Sequence, residues 1–297
     1  MTETGNGRPA TGNGNARVLD AHCHLWHFDA NEYDWIPEEP AVLRQDHLAA
    51  DLVRELDAAG IDGAIAVQAR QSLAENDFLL EQADASGGRI RGVVGWVDLA
   101  ADDVRDVVAR YASRPLLVGV RHIVQAESDP DFLERPAFNR GIALLHEYGL
   151  AYDVLVYAPQ LPAAIAFVDR HPAQPFVLDH IAKPAIAASR FDEAWLRDLR
   201  EIARRPHVTC KLSGLVTEVR DPTWDGDLLR RYLDTALDAF GPSRLMFGSD
   251  WPVCRLRTDY GEWVSVMRAY TDALSPDERD AVWATTAQRV YKTLCLR

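Results

Sequence analysis

Two histidines separated by one residue, His22 and His24, end a short apolar segment near the start of the chain. In an extended strand, residues i and i+2 point to the same side, so both imidazoles would project from one strand end. Neutral imidazoles held side by side can bind a divalent metal ion, with Cys23 turned to the opposite side. The pair alone is a weak signal, because either ring could be a hydrogen-bonded structural histidine.

Eight short apolar segments recur along the chain, and several are continuous, as is typical of parallel strands buried on both faces. They cover residues 18–25, 61–67, 90–97, 116–123, 150–157, 176–181, 208–212 and 245–248. Helical patterns separate them: residues 47–59 end at Gly60, residues 136–148 end at Gly149, and a last helix begins at Ser275. Strands and helices alternating eight times predict an α/β fold, a single-domain (β/α)8 TIM barrel. A doubly wound open sheet is the rival, but no GxGxxG motif follows the first segment.

The two ends of the sequence differ in character. Residues 1–16 are rich in Gly, Asn and Thr and lack the apolar stretch of a signal peptide, so we predict a disordered N-terminal tail. No Gly/Ser/Pro-rich linker interrupts residues 17–297, which we predict to form one domain.

The composition of the chain restricts the classes of partner that it is expected to bind. The net charge of −13 argues against nucleic acid, and no apolar run approaches the roughly 20 residues of a membrane span. The four cysteines have no paired spacing and fit free thiols in a reducing compartment, which predicts a cytoplasmic protein. The sequence leaves both a monomer and a homo-oligomer open.

The carboxyl ends of the predicted strands carry most of the residues capable of chemistry. In a (β/α)8 barrel these ends meet on one face, where the active site lies. Four of the nine histidines and one aspartate would meet there, together with polar and aromatic side chains. These candidates are His22, His24, Gln68, Arg70, Trp96, Arg121, His122, His180, Lys183 and Asp250, with Trp26 just beyond the first strand.

Five motifs at these positions resemble those of the amidohydrolase superfamily. They are DAHCHLW at residues 20–26, GVRH at 119–122, LDHIAKP at 178–184, KLSG at 211–214 and FGSDWP at 247–252. The match is to the amidohydrolase-related (amidohydrolase 2) branch, which includes sugar lactonases such as L-fuconolactonases and L-rhamnonolactonases. The resemblance implies a (β/α)8 barrel, hydrolysis of a cyclic ester and often a divalent metal ion. The predicted fifth strand has no histidine, so a second, bridged metal ion is not expected.

Lactone hydrolysis requires an activated water, a polarised carbonyl and a proton for the departing alkoxide. We predict one divalent metal ion, zinc being the first choice, held by His22, His24 and Asp250. Asp250 would also act as general base, while His180 and His122 would donate hydrogen bonds to the oxyanion. If no metal is required, protonated histidines would supply the positive charge. The predicted substrate-binding residues are Arg121, Lys183, Trp26, Trp96, Gln68 and Arg70.

The sequence therefore favours a lactonase of carbohydrate metabolism that opens a sugar-derived lactone, of the fucono- or rhamnono-lactone type, to its acid. The small-molecule lactone is the expected partner, with neither nucleic acid nor a membrane. Two alternatives stay open: a metal-dependent decarboxylase of the same superfamily acting on an aromatic acid, and a non-enzymatic barrel that binds a metal or a sugar.

Overall fold

Eight parallel strands form the barrel in the computed structural model, which describes residues 18–293. Each strand pairs with the next in chain order, from β1 to β8. The first and last strands also meet, since Cys23 forms a parallel bridge with Trp251 and the His24 amide donates to the Trp251 carbonyl at 2.6 Å. The predicted (β/α)8 barrel is confirmed. The predicted tail, residues 1–16, lies outside the described residues.

The strands begin and end close to the predicted positions. They are β1 Leu19–Cys23, β2 Gly63–Val67, β3 Ile90–Gly95, β4 Leu117–His122, β5 Ala151–Val154, β6 Phe176–Leu178, β7 Val208–Leu212 and β8 Leu245–Phe247. Every strand except β7 is shorter than its apolar segment. Beyond β1, β6 and β8 the rest of the segment stays buried while bending into the loops above the barrel, and an apolar run cannot distinguish a strand from a buried loop.

Helices surround the sheet, in the expected alternation. They are α1 Ala49–Ala59, α2 Leu73–Ala85, α3 Val104–Ala112, α4 Pro136–Glu147, α5 Leu161–Arg170, α6 Glu193–Ile202, α7 Gly226–Phe240, α8 Tyr260–Thr271, α9 Pro276–Asp280 and α10 Thr286–Val290, the last two joined by a π-helical turn at Ala281–Thr285. Gly60 ends α1 at φ 66°, and a Ser275–Glu278 capping box begins α9, as their sequences predict. Within residues 18–293, no helix has the length and apolar character needed to cross a membrane.

The core of the described residues has three parts. The largest lies between the sheet and the helices, and a smaller one fills the barrel beneath the site, where Leu19, Ala21 and Ile65 pack with Tyr291. A third cluster lies under the loop after β1 and includes Trp26 and Tyr33. β1 is irregular between Asp20 and Cys23, where its pairing with β2 shifts register. Such an irregularity re-aims side chains. Here it allows Ala21 to face the inner core while the neighbouring His22 also contacts residues inside the barrel.

The close packing of α4 against the loop after β3 depends on a glycine in the helix, Gly141. A Cβ atom on Gly141 would lie 2.1 Å from the Leu99 carbonyl oxygen, so Gly141→Ala forces two backbones apart. We expect it to lower the free energy of unfolding by about 3 kcal/mol, the upper part of the range for overpacking. Urea denaturation measures this. The control Gly226→Ala, on the first turn of α7 with nothing within 4 Å of its Cβ, should change stability by less than about 1 kcal/mol. Equal losses of stability in the two variants would contradict the close contact between Gly141 and Leu99.

Candidate active site

Four predicted residues converge at the carboxyl end of the barrel: His22 on β1, His24 just after it, His180 after β6 and Asp250 after β8. The two Nε2 atoms of His22 and His24 are 3.1 Å apart. Asp250 Oδ1 lies 3.3 Å from the Nε2 of His24, 3.8 Å from that of His22 and 4.0 Å from that of His180. All four side chains are buried. We call them the histidine–aspartate cluster.

Unusual backbone conformations direct two of these side chains inward. Residues 180–183 all have positive φ, between 46° and 60°, and Asp250 has φ 59°. A non-glycine residue in this region is strained by about 1–2 kcal/mol, and such residues persist where the surroundings fix them, often at functional sites. The left-handed turn is fixed in part by Trp195, whose Nε1 donates to the Ile181 carbonyl at 2.6 Å.

The KLSG motif supports His180 from β7. Ser213 Oγ lies 2.9 Å from His180 Nδ1. Gly214 has φ 66°, and a Cβ there would lie 2.5 Å from His180 Nδ1 and 3.2 Å from Asp250 Oδ2. Glycine is therefore required both by the backbone conformation and by the space that the two site residues occupy.

Hydrogen bonds orient the rings of the cluster. His24 Nδ1 lies 2.8 Å from the Val67 carbonyl oxygen, which can only accept, so His24 carries its proton on Nδ1 and turns the Nε2 lone pair toward the cluster. His22 Nδ1 faces two groups, Lys211 Nζ at 3.1 Å and Asp179 Oδ1 at 3.4 Å. A donation from His22 to Asp179 would likewise turn its Nε2 lone pair toward the cluster, where Arg121 Nη1 lies 3.4 Å from that atom.

Burial determines the charges of the cluster. It lowers the pKa of His180 to about 4, and burial together with the positive charge of Lys211 lowers the pKa of His22 well below its ordinary value. Burial opposes ionisation of Asp250 as well, but its interactions with His180, His24 and His22 outweigh this and hold the pKa of Asp250 below its ordinary value. The site thus holds a carboxylate beside two imidazoles that are neutral at neutral pH.

This set of donors fits a divalent metal ion. His22, His180 and Asp250 each offer one ligand atom, and these atoms lie within 4.8 Å of one another. Donors about 2.0–2.1 Å from a tetrahedral zinc ion would be about 3.3 Å apart, close to the separations of the His24 Nε2 atom from His22 and Asp250. Neutral imidazoles and a carboxylate are also the protonation states that ligation requires. The cluster could therefore hold a metal ion.

A buried charge network lies beneath the cluster. Lys211 Nζ lies 2.5 Å from Asp153 and 3.0 Å from Asp179, and Arg121 donates to Asp179 at 2.9 Å. The Tyr291 hydroxyl donates to Asp153 at 2.8 Å. Asp153, Asp179 and Tyr291 were not among the predicted site residues. Their positions on three separate elements gave no joint signal in the sequence.

A cavity of about 380 Å³ opens above the cluster, a size typical of small-molecule sites. Six predicted residues line it: His24, Arg70, Arg121, His180, Lys183 and Asp250. The loop after β1 also contributes Glu32, Asp34 and Trp35 to the lining. Trp35 is 42% exposed and packs edge-on against Trp26 at 5.8 Å, so the cavity meets a partly open indole.

The structure does not bring His122 to the cluster, contrary to its predicted catalytic role. Adjacent residues of a strand face opposite sides, and Arg121 takes the inner side of β4. The His122 ring instead stacks on Phe132 at 4.6 Å, with Nε2 2.6 Å from Glu127 and Nδ1 accepting from Trp96 at 3.3 Å. Both ring nitrogens are thus occupied outside the barrel.

Three predicted substrate-binding residues do not line the cavity. Trp26 is fully buried and donates to the Gln45 carbonyl at 3.0 Å. Trp96 contacts His122 on the outer side. Gln68 is buried, and its Oε1 accepts from Arg121 at 3.2 Å, so it orients a cavity residue without lining the cavity itself. Proximity to a strand end does not specify the direction in which a side chain points.

The comparisons with known proteins agree on the family. Residues 19–293 match the amidohydrolase family. The sequence is 44% identical over 283 residues to an L-fucono-1,5-lactonase of Burkholderia multivorans, covering 92% of this chain and 95% of that protein. It is 36% identical over 280 residues to an L-fucono-1,5-lactonase of Burkholderia ambifaria, with coverage of 92% and 95%. The crystal structure of a Burkholderia multivorans amidohydrolase with bound zinc superposes with a TM-score of 0.88 at 44% identity, covering 93% of this chain and 99% of that one. The chain therefore belongs to the amidohydrolase family.

Proposed function

We propose that this protein is a lactonase that opens a sugar-derived lactone, of the L-fucono-1,5-lactone type, to the corresponding acid. The observation that carries the proposal is the histidine–aspartate cluster, which forms the base of a cavity in a chain 44% identical to a lactonase of that specificity. A buried carboxylate beside neutral imidazoles suits activation of a water molecule.

The charges of the cavity favour a lactone over the aromatic acid of a decarboxylase. Among the described residues that line it, each arginine or lysine already has a carboxylate partner. Arg70 pairs with Glu32, Lys183 lies 3.8 Å from Glu218, and Arg121 donates to Asp179. A carboxylate substrate would have no free cation and would meet the exposed Asp34. An uncharged, polyhydroxylated ring meets no such repulsion.

Asp250 accepts a proton from the attacking water, because it is the ionised carboxylate nearest the three imidazoles. The water oxygen then bonds to the ring carbonyl carbon, and the bond from that carbon to the ring oxygen breaks as the intermediate collapses. Asp250 returns the proton to the departing alkoxide. Arg121 lies on the cavity wall and takes the place proposed for His122 as a hydrogen-bond donor to the oxyanion, a role that does not require an unpaired charge because Asp179 already balances it.

His22, His24, His180 and Asp250 would hold one divalent metal ion, and we propose zinc, which the related crystal structure contains. When bound, the ion supplies Lewis acidity for the water and the carbonyl. We place substrate contacts on Arg70, Lys183, Arg121 and Trp35, the last through the open part of its indole.

We also propose a cytoplasmic location. Cys23, Cys210 and Cys254 are buried free thiols, as a reducing compartment allows.

Removal of the proposed base tests the mechanism. Asp250→Asn should lower kcat for L-fucono-1,5-lactone by about 10²–10⁴-fold, because an amide cannot accept the proton of water. A proton-release assay measures the rate, and circular dichroism confirms the fold. Asp238→Asn, on the exposed side of α7, is the matched control and should retain full activity. Undiminished turnover by Asp250→Asn would exclude Asp250 as the base.

Metal content provides a separate test. We expect the purified protein to bind one zinc ion per chain by calorimetry, and His24→Ala to weaken that binding by at least about tenfold, because one of the metal ligands is lost. His27→Ala removes an exposed histidine and should bind zinc normally. Full lactonase activity in chelated protein that contains no metal would contradict the metal-dependent form of the proposal while leaving the hydrolase intact.

A substrate panel distinguishes the two enzyme classes. Uncharged aldonolactones should be hydrolysed, whereas benzoate-type acids should release no CO2, since every cation lining the described cavity is already paired. Release of CO2 without lactone hydrolysis would establish the decarboxylase. Binding of lactone or metal without turnover would establish the non-enzymatic barrel.

A further inference from the structure

Glu75, the third residue of α2, is a fully buried carboxylate that the proposed mechanism does not use. Its Oε1 accepts from the backbone N–H groups of Ala69 at 3.1 Å and Arg70 at 3.2 Å, and its Oε2 accepts from Arg70 at 3.0 Å. These amides belong to residues 68–72, the loop between β2 and α2. Glu75 therefore fixes the backbone from which the Arg70 side chain reaches the cavity.

The same carboxylate lies beside a second loop. Tyr33, from residues 24–48 between β1 and α1, belongs to the same buried cluster as Ala69, and burial together with the negative charge of Glu75 raises the pKa of its phenol. The Arg70 guanidinium lies over the Tyr33 ring, 5.4 Å from its centre, and forms an ion pair with the neighbouring Glu32. Trp35 follows Tyr33 by two residues in the same loop. We call residues 27–48 and 69–72 the rim loops, which leaves out His24 of the cluster and Gln68; together they supply Glu32, Trp35 and Arg70 to the cavity wall.

We infer that Glu75 is a positioning residue that sets the shape of the substrate cavity by joining the two rim loops from below. The inference rests on the proposed function only in taking the cavity to be the lactone site. Glu75 itself touches no cavity surface, and it acts on substrate through Arg70, Glu32 and Trp35.

The physical basis is the number of buried donors that depend on this one group. Two backbone N–H groups donate to its two oxygens, and the buried Tyr33 lies beside them. Each buried donor left without an acceptor is unfavourable by about 1–3 kcal/mol, so the loops would move to reach water. Burial raises the pKa of Glu75 to about 7, against the lowering effect of the Arg70 and Ala69 amides.

Replacing Glu75 should weaken substrate binding more than it slows the chemical step. Glu75 bonds to the rim loops, whereas the histidine–aspartate cluster is oriented by Val67, Ser213 and the charge network. Glu75→Ala should raise KM about tenfold or more and change kcat less than about threefold, since misplaced contacts remote from the reacting atoms weaken binding. Glu75→Gln keeps one acceptor oxygen and should fall between Glu75→Ala and the unaltered protein.

Steady-state kinetics with L-fucono-1,5-lactone are paired with amide hydrogen exchange on the unliganded protein. Exchange in the rim loops should accelerate in both Glu75 variants while the strands stay protected. Asp77→Asn, which alters a half-exposed carboxylate on the same helix, is the matched control and should change neither KM nor exchange. Should Glu75→Ala fail to fold, Glu75→Gln carries the test.

The outcomes separate the two proposals. If the Glu75 variants have a lower melting temperature but unchanged KM and unchanged exchange in the rim loops, the positioning role is overturned. Glu75 would then contribute only to the stability of the fold. If the unaltered protein hydrolyses no lactone, the proposed function fails, but accelerated exchange confined to the rim loops would still support Glu75 as the group that joins them.

Discussion

The pairing of Asp179 with two buried cations is the interaction on which the site depends. Asp179 follows β6, Arg121 comes from β4 and Lys211 from β7, so one carboxylate joins three separate parts of the barrel. Burial alone would raise the pKa of Asp179, but Lys211, His22 and Arg121 hold it well below its ordinary value. Removing any one partner would leave an uncompensated buried charge, which is strongly unfavourable.

The network also determines what His22 can do. The His22 ring faces a cation and an anion at similar distances, and both Lys211 and burial favour its neutral form. His24 and His180 are oriented by a carbonyl and a hydroxyl. The cluster is therefore set by groups beneath and beside it, while the space above it stays open for substrate.

The charged residues of the cavity wall are arranged differently from those of the cluster. The cations of the wall are neutralised by neighbouring carboxylates, so under the proposed function we expect selectivity from shape and hydrogen bonding more than from net charge. The strained turn at residues 180–183 and the two rim loops bring Lys183, Arg70 and Trp35 to one opening. The cluster lies at or just beyond the strand ends, whereas Lys183, Arg70 and Trp35 come from the loops above them.

The sequence by itself determined the barrel, because eight buried apolar segments separated by capped helices leave few other architectures. It also indicated the convergence of His22, His24, His180 and Asp250, since parallel strands place their carboxyl ends on one face. The tertiary structure decided the rest: His122 and Trp96 face outward, Trp26 is buried, and Asp153, Asp179 and Lys211 meet inside the barrel. Side-chain direction depends on the register and bending of each strand end, and long-range charge pairs depend on closure of the sheet. Neither is encoded in a local pattern of residues.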